Sequence, residues 1–224
     1  MSHARARLAV ALLVLFLLAA AARLLAIPIA LPVDLARWST YALMPSLALW
    51  VLARRGPALV VAALLCSAVG DVLLGYGEAL FLFGMGAFAL AHIGYIACFV
   101  RAGALRSLRH RPSVLAGYAV ALVGLVGWLW PGLGDLRYPV AVYALLLTGT
   151  AVASAGVSVR MGFGGALFFV SDALIAVGLA DRPQPPMPSM WVMTTYILAQ
   201  YLLASGSVQL VRKASPAAES YAQV

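Results

Sequence analysis

Residues 58–76 read Ala58-Leu59-Val60-Val61-Ala62-Ala63-Leu64-Leu65-Cys66-Ser67-Ala68-Val69-Gly70-Asp71-Val72-Leu73-Leu74-Gly75-Tyr76, nineteen residues with a single charge, Asp71. A hydrocarbon layer about 30 Å thick takes about 20 apolar residues of helix to cross. The stretch is nearly that long, and its apolar residues do not alternate with polar ones as a barrel strand requires. It therefore predicts a transmembrane helix with a carboxyl group inside it. Working outward, the same pattern recurs. Apolar runs fall at roughly 8–27, 37–53, 58–76, 79–100, 113–130, 139–159, 162–180 and 190–211. They predict an all-α protein with eight transmembrane helices, a single transmembrane domain over 1–211, and a disordered cytoplasmic tail at 212–224. The first run follows His3, Arg5 and Arg7 and ends in Ala19–Ala22, which resembles a signal-peptide cleavage site. Its length of about 20 residues is enough to span, and it reads as a helix.

Composition excludes a soluble globule. The chain of 224 residues is 64% hydrophobic and 10% charged, against about 25% charged in soluble domains. Its net charge is +8, yet no basic stripe lies on a soluble segment, so no nucleic-acid partner is expected. The basic residues stand between apolar runs, where anionic membrane lipids are the natural partner. With the N-terminus inside, Arg5, Arg7, Arg54, Arg55, Arg101, Arg106, Arg109, Arg111, Arg160, Arg212 and Lys213 are cytoplasmic, eleven in all, against four outside: Arg23, Arg37, Arg137 and Arg182. That bias predicts an N-in, C-in, multi-pass topology. Cys66 and Cys98 lie inside apolar runs and read as small buried hydrophobes. His3, His92 and His110 are not clustered, so no metal is expected, and nothing calls for a cofactor. Neither a nucleophilic-serine elbow nor a P-loop is present. Composition sets no oligomeric state.

Asp71 and Asp172 are the acids well inside apolar runs. A carboxylate at mid-bilayer costs about 2.5–3.5 kcal/mol on insertion scales, so such residues face a bundle interior or a wet cavity. The contexts Gly70-Asp71-Val72-Leu73-Leu74 and Ser171-Asp172-Ala173-Leu174-Ile175 match as small-Asp-x-Leu-aliphatic. Ala91-His92 and Ala199-Gln200 echo each other in the following runs. Four helices separate the copies, a pattern suggesting two parallel four-helix halves. It places both acids at similar depth in the outer half, facing one cavity. The structural alternative is a pair of protonated acids tying helices together. Helical spacing sets His92 and Tyr95 on one face, and Tyr196, Gln200 and Ser207 on another. These faces are expected to form the polar wall of the cavity. A third face, Tyr143, Thr150, Ser154 and Ser158, reads as close helix packing. Met44-Pro45 marks an expected kink.

In these stretches the chain resembles the YhhN family of bacterial membrane proteins, which includes the animal lysoplasmalogenases. The resembling segments are 67–74, 83–95, 165–172 and 195–200, and in order and spacing they cover residues from about 40 to 207. The resemblance implies an eight-helix inner-membrane hydrolase that cleaves the vinyl-ether bond of a lysophospholipid substrate, lysoplasmalogen, to a fatty aldehyde and a glycerophospho-base. It makes Asp71 and Asp172 catalytic; His92, Tyr95, Tyr196 and Gln200, on the polar helix faces, are the expected substrate-binding residues. One position departs: the family often has Lys before the proline of the second helix, and here stands Met44. Two carboxyls suit the chemistry, because proton transfer to carbon gives an oxocarbenium-like state, as in glycoside hydrolysis. One acts as acid while the other, ionised, stabilises the cation and activates water. The rival classes are a proton-coupled transporter and a non-catalytic lipid-binding protein.

Overall fold

The computed structural model describes residues 3–29 and 32–221, with side chains described as far as Arg212. Among these the protein is all-α, without strands. Its helices are α1 (His3–Leu25), α2 (Val33–Ala53), α3 (Ala58–Leu74), α4 (Phe81–Arg101), α5 (Ala104–Leu108), α6 (Pro112–Leu129), α7 (Arg137–Val157), α8 (Val159–Leu179) and α9 (Pro188–Tyr221). Each of the eight apolar runs coincides with a long helix. α9 continues past Arg212 into the stretch expected to be disordered, and the last part of that tail, 222–224, lies outside the described residues.

Five segments among the described residues are long and apolar enough to cross a membrane: His3–Leu25, Glu78–Arg101, Pro112–Gly132, Gly134–Val157 and Val159–Leu179. The protein is thus a multi-pass membrane protein. α3 is apolar but only 17 residues long. α2 opens with Asp34, Arg37, Ser39 and Thr40, which dilute its apolar character. Lipid-facing surface is plain on α6, where Val120 and Val123 are exposed and Leu129 alone is buried. Leucines and valines on one side of α1 are exposed in the same way.

The boundaries follow from local chemistry. Pro57 and Pro112 stand at helix starts, where a missing N–H costs nothing. α4 ends on Gly103, whose φ of +92° is the left-handed cap that favours glycine. The carbonyls of Leu52 and Ala53 at the end of α2 accept hydrogen bonds from the Arg5 guanidinium at 3.1 and 2.9 Å, a cation placed at the negative end of a helix dipole. One expectation is corrected here. Ser158 is not on the face of a helix: it is extended (φ −159°, ψ 158°), breaks α7 from α8, and caps α8 by accepting from the Met161 N–H at 3.2 Å. The basic stretch after Arg101 carries the short helix α5, which tucks Ala104 and Leu108 against Gly156 of α7.

Helices that follow one another pack together, α1 on α2, α2 on α3, α3 on α4, α7 on α8 and α8 on α9, with α4 against α7 joining the two groups. Small residues permit the close approaches. A Cβ on Gly165 would strike the Ser154 hydroxyl and lie 2.8 Å from the Ala151 backbone, so α7 and α8 touch almost backbone to backbone.

Candidate active site

One end of the bundle contains a cavity of ≈ 420 Å³, within the range of small-molecule pockets, about 300–1,000 Å³. It lies among the C-terminal ends of α1, α3 and α8 and the N-terminal ends of α2, α4, α7 and α9. Asp71 from α3 and Asp172 from α8 both line it, near enough to sense each other's charge. Tyr196 lines it too, and its hydroxyl donates to Asp71 Oδ2 at 2.9 Å. Apolar walls come from Leu74, Met85, Phe88, Val140, Ile175 and Leu179. Ser171, buried in the lining, donates to the Val192 carbonyl at 3.1 Å, tying α8 to α9.

Three expected wall residues are not on the wall. His92, Tyr95 and Gln200 are fully buried and lie behind the lining. The correction has a simple cause. Helical spacing states which residues share a face, but not how deep along the bundle the cavity reaches. Phe88 and Tyr196 form its floor, and His92 and Gln200 stand one turn beyond them, covered. In that layer Tyr95 donates to Gln200 Oε1 at 2.6 Å, and Gln200 Nε2 donates to Ser67 Oγ at 3.1 Å. The amide cross-links α3, α4 and α9 and leaves no buried polar group there without a partner.

His92 belongs to a second chain of contacts. Its Nδ1 meets Thr150 Oγ1 at 3.1 Å and its Nε2 meets the Tyr143 hydroxyl at 3.1 Å. Tyr143 lines the cavity and donates to Asp172 Oδ2, and His92 Nε2 itself lies 3.8 Å from that oxygen. Tyr143 is a cavity-lining partner of Asp172 that the sequence reading does not single out. Helical spacing alone puts it in a stripe of packing hydroxyls; the signal that distinguishes it is a phenol two turns into an apolar helix, which needs a buried acceptor.

Arg23, Arg37 and Tyr41 also line the cavity. By charge bias alone the two arginines are outer-side topology charges. Met44, where the family often carries lysine, is fully buried in the core and takes no part in the cavity. α2 runs through Pro45 as one helix from Val33 to Ala53. No group of three or more metal-ligating side chains occurs among the described residues.

Comparison with known proteins is consistent across the chain. The model of the YhhN family matches residues 35–207. A lysoplasmalogenase of Mycobacterium tuberculosis (strain CDC 1551 / Oshkosh) is 35% identical over 162 residues, covering 65% of this chain and 59% of that protein. Lysoplasmalogenase TMEM86B of Sus scrofa is 37% identical over 145 residues, 63% of this chain and 60% of that protein. Lysoplasmalogenase TMEM86B of Homo sapiens is 33% identical over 163 residues, 72% of this chain and 69% of that protein. The chain thus spans about 60% of the length of the mycobacterial and porcine relatives. No solved structure matches. A family model covering all but the first helix and the extreme C-terminus, with relatives aligned over most of the chain, places this protein in the YhhN family.

Proposed function

We propose that this protein is a membrane-embedded hydrolase that cleaves the vinyl-ether bond of a lysoplasmalogen, releasing a fatty aldehyde and a glycerophospho-base. The observation that carries the reading is the pair Asp71 and Asp172, brought from α3 and α8 to one cavity with apolar walls. The names of the relatives support the substrate class. In membrane terms the protein has eight spans in a bacterial inner membrane, as one domain over 1–211 with a cytoplasmic tail at 212–224. Both termini are inside and the cavity is in the outer half. Two parallel four-helix halves are supported by the packing, since α1–α2–α3–α4 and α6–α7–α8–α9 each pack in sequence.

Hydrogen-bond counting suggests the roles. The Thr150 hydroxyl donates to the Leu146 carbonyl at 3.1 Å, so His92 Nδ1 carries a hydrogen and donates to Thr150. Tyr143 has one hydrogen and faces both His92 Nε2 and Asp172. All these contacts are satisfied when the branch holds one further proton. Either Asp172 carries it and Tyr143 donates to His92, or His92 is an imidazolium and Tyr143 donates to Asp172. One proton is thereby kept in store and can be brought to Asp172. On the other branch Asp71 accepts from Tyr196, while Gln200 Oε1 is already taken by Tyr95.

Asp172 then gives its proton to the β-carbon of the vinyl ether, and the double bond becomes an oxocarbenium. The Asp71 carboxylate stabilises the cation and takes a proton from the attacking water, forming a hemiacetal. The hemiacetal hydroxyl returns a proton to Asp172. Protonated Asp71 delivers its own to the departing glycerol oxygen, and the C–O bond breaks. One water is consumed and both acids are restored.

A proton-coupled transporter would need a path to the opposite end of the bundle. Beneath the cavity lie His92, Tyr95, Phe99 and Gln200, all fully buried, which favours a site closed at its base. Aldehyde release from lysoplasmalogen by the purified protein in detergent tests the reading. Aldehyde in stoichiometric yield with glycerophospho-base is expected. A protein that binds lysoplasmalogen and releases none overturns it in favour of a lipid-binding role.

A further inference from the structure

We propose that Arg23 and Arg37 form the phosphate end of the cavity and hold the phosphodiester of a glycerophospholipid headgroup; the assignment deepens the reading of this cavity as a lysophospholipid site. Arg23 stands in the last turn of α1, where an arginine ordinarily runs its stem outward to the headgroup layer. Here it is half-buried and lines the same cavity as the two carboxyls. Its charge and that of Asp71 attract. Yet among the described residues it makes no ion pair or hydrogen bond, so its planar fork of donors is unspent. Arg37 approaches from the first turns of α2. It meets Asp34 at 3.7 Å, with side chains 46% and 81% exposed, and an exposed pair of this kind holds its partners weakly.

Geometry and charge point to a phosphodiester. Guanidinium groups bind phosphate oxygens bidentately. With one carboxyl protonated, the cavity has two arginine charges and one carboxylate, and a phosphodiester monoanion brings the sum to zero. Phosphate and scissile ether are separated by one glycerol unit, so a headgroup held by the arginines sets the ether against the carboxyls. The apolar walls at Leu74, Met85 and Leu179 take the start of the hydrocarbon chain. α1 lies outside the matched family segment, so Arg23 is a feature of this chain that the family match does not cover.

The test uses the full chain in detergent, with Arg23→Gln, Arg37→Gln and Arg23→Lys. Binding is read by intrinsic tryptophan fluorescence with two probes of equal chain length, lysophosphatidylcholine and monoacylglycerol. Aldehyde release is read with 1-alkenyl-glycerophosphocholine and 1-alkenylglycerol. Each Gln variant is expected to weaken lysophosphatidylcholine binding, and to raise KM for the phosphorylated substrate, roughly 10- to 100-fold, the range for a charge-assisted hydrogen bond. Monoacylglycerol binding should be unchanged, which also reports that the variants fold. Arg23→Lys should retain part of the phosphate preference, because it keeps the charge but loses the fork. Equal weakening of both probes, or of neither, overturns the proposal. Displacement of lysophosphatidylcholine by inorganic phosphate at low millimolar concentration would make this a free-phosphate site and overturn the headgroup assignment. Arginine-dependent phosphate preference in binding, with no aldehyde from either alkenyl substrate, would uphold the proposal while removing the hydrolase reading.

Discussion

His92 Nε2 stands 3.8 Å from the carboxyl oxygen of Asp172, with the Tyr143 hydroxyl 3.1 Å from the ring nitrogen and bonded to the same oxygen. A histidine that never reaches the cavity is therefore wired to an acid that does. This relationship separates the residues that would touch substrate from those that would act through them.

The two acids are the first test. Asp71→Asn and Asp172→Asn should each lower aldehyde release by at least about 10²-fold, the lower range for a general acid or base. Asn keeps the size of Asp and can donate a hydrogen bond, so detergent-solubilised yield should hold. Retained activity in either variant at matched yield would remove that residue from the mechanism.

The wire makes a different demand. Tyr143→Phe should lower kcat with KM little changed, because the ring stays and only the bridging hydroxyl goes. His92→Gln should lower kcat as well. The double variant should be no worse than Tyr143→Phe alone, since both changes cut one path. Additive losses in this cycle would show that His92 and Tyr143 act separately.

The layer beneath the cavity is expected to be structural. Gln200→Leu strands the Tyr95 hydroxyl and takes the donor from Ser67. Each buried polar group left without a partner costs about 1–3 kcal/mol. The thermal unfolding midpoint in detergent should fall clearly, and Tyr95→Phe should produce a smaller drop. An unchanged midpoint for Gln200→Leu would show that the amide is not needed to join α3, α4 and α9.

Helix contact gives a prediction outside the site. Gly165→Val should sharply reduce folded yield, because a Cβ there meets the Ala151 backbone at 2.8 Å, and backbone cannot move aside as a flexible side-chain end can. Gly86→Ala is the control, since nothing lies within 4 Å of its added Cβ. Comparable yields for the two, by fluorescence-detected size exclusion, would contradict the close approach of α7 and α8.

Orientation is checked by reporter fusions. Fusions after residues 56 and 135 should report opposite sides, the first cytoplasmic. The same side for both would sink the eight-span, N-in reading.

The sequence by itself determined that the chain is helical and membrane-embedded, because apolar runs of about 20 residues have no other stable home. It also singled out Asp71 and Asp172. A charge inside such a run is costly wherever the helix packs, so its presence is legible without knowing the neighbours. Tertiary structure decided everything that depends on depth and on partners in space. Helical period gave His92, Tyr95 and Gln200 a direction, but only the packed bundle shows Phe88 and Tyr196 standing above them as the cavity floor. Tyr143 became a partner of Asp172 only when α7 met α8 across Gly165, a contact between residues 29 positions apart. Arg23 and Arg37 carried the same charge in either reading. Whether a guanidinium at a helix end turns to the lipid headgroups or into a cavity is set by the space the other helices leave, and no local spacing encodes that space.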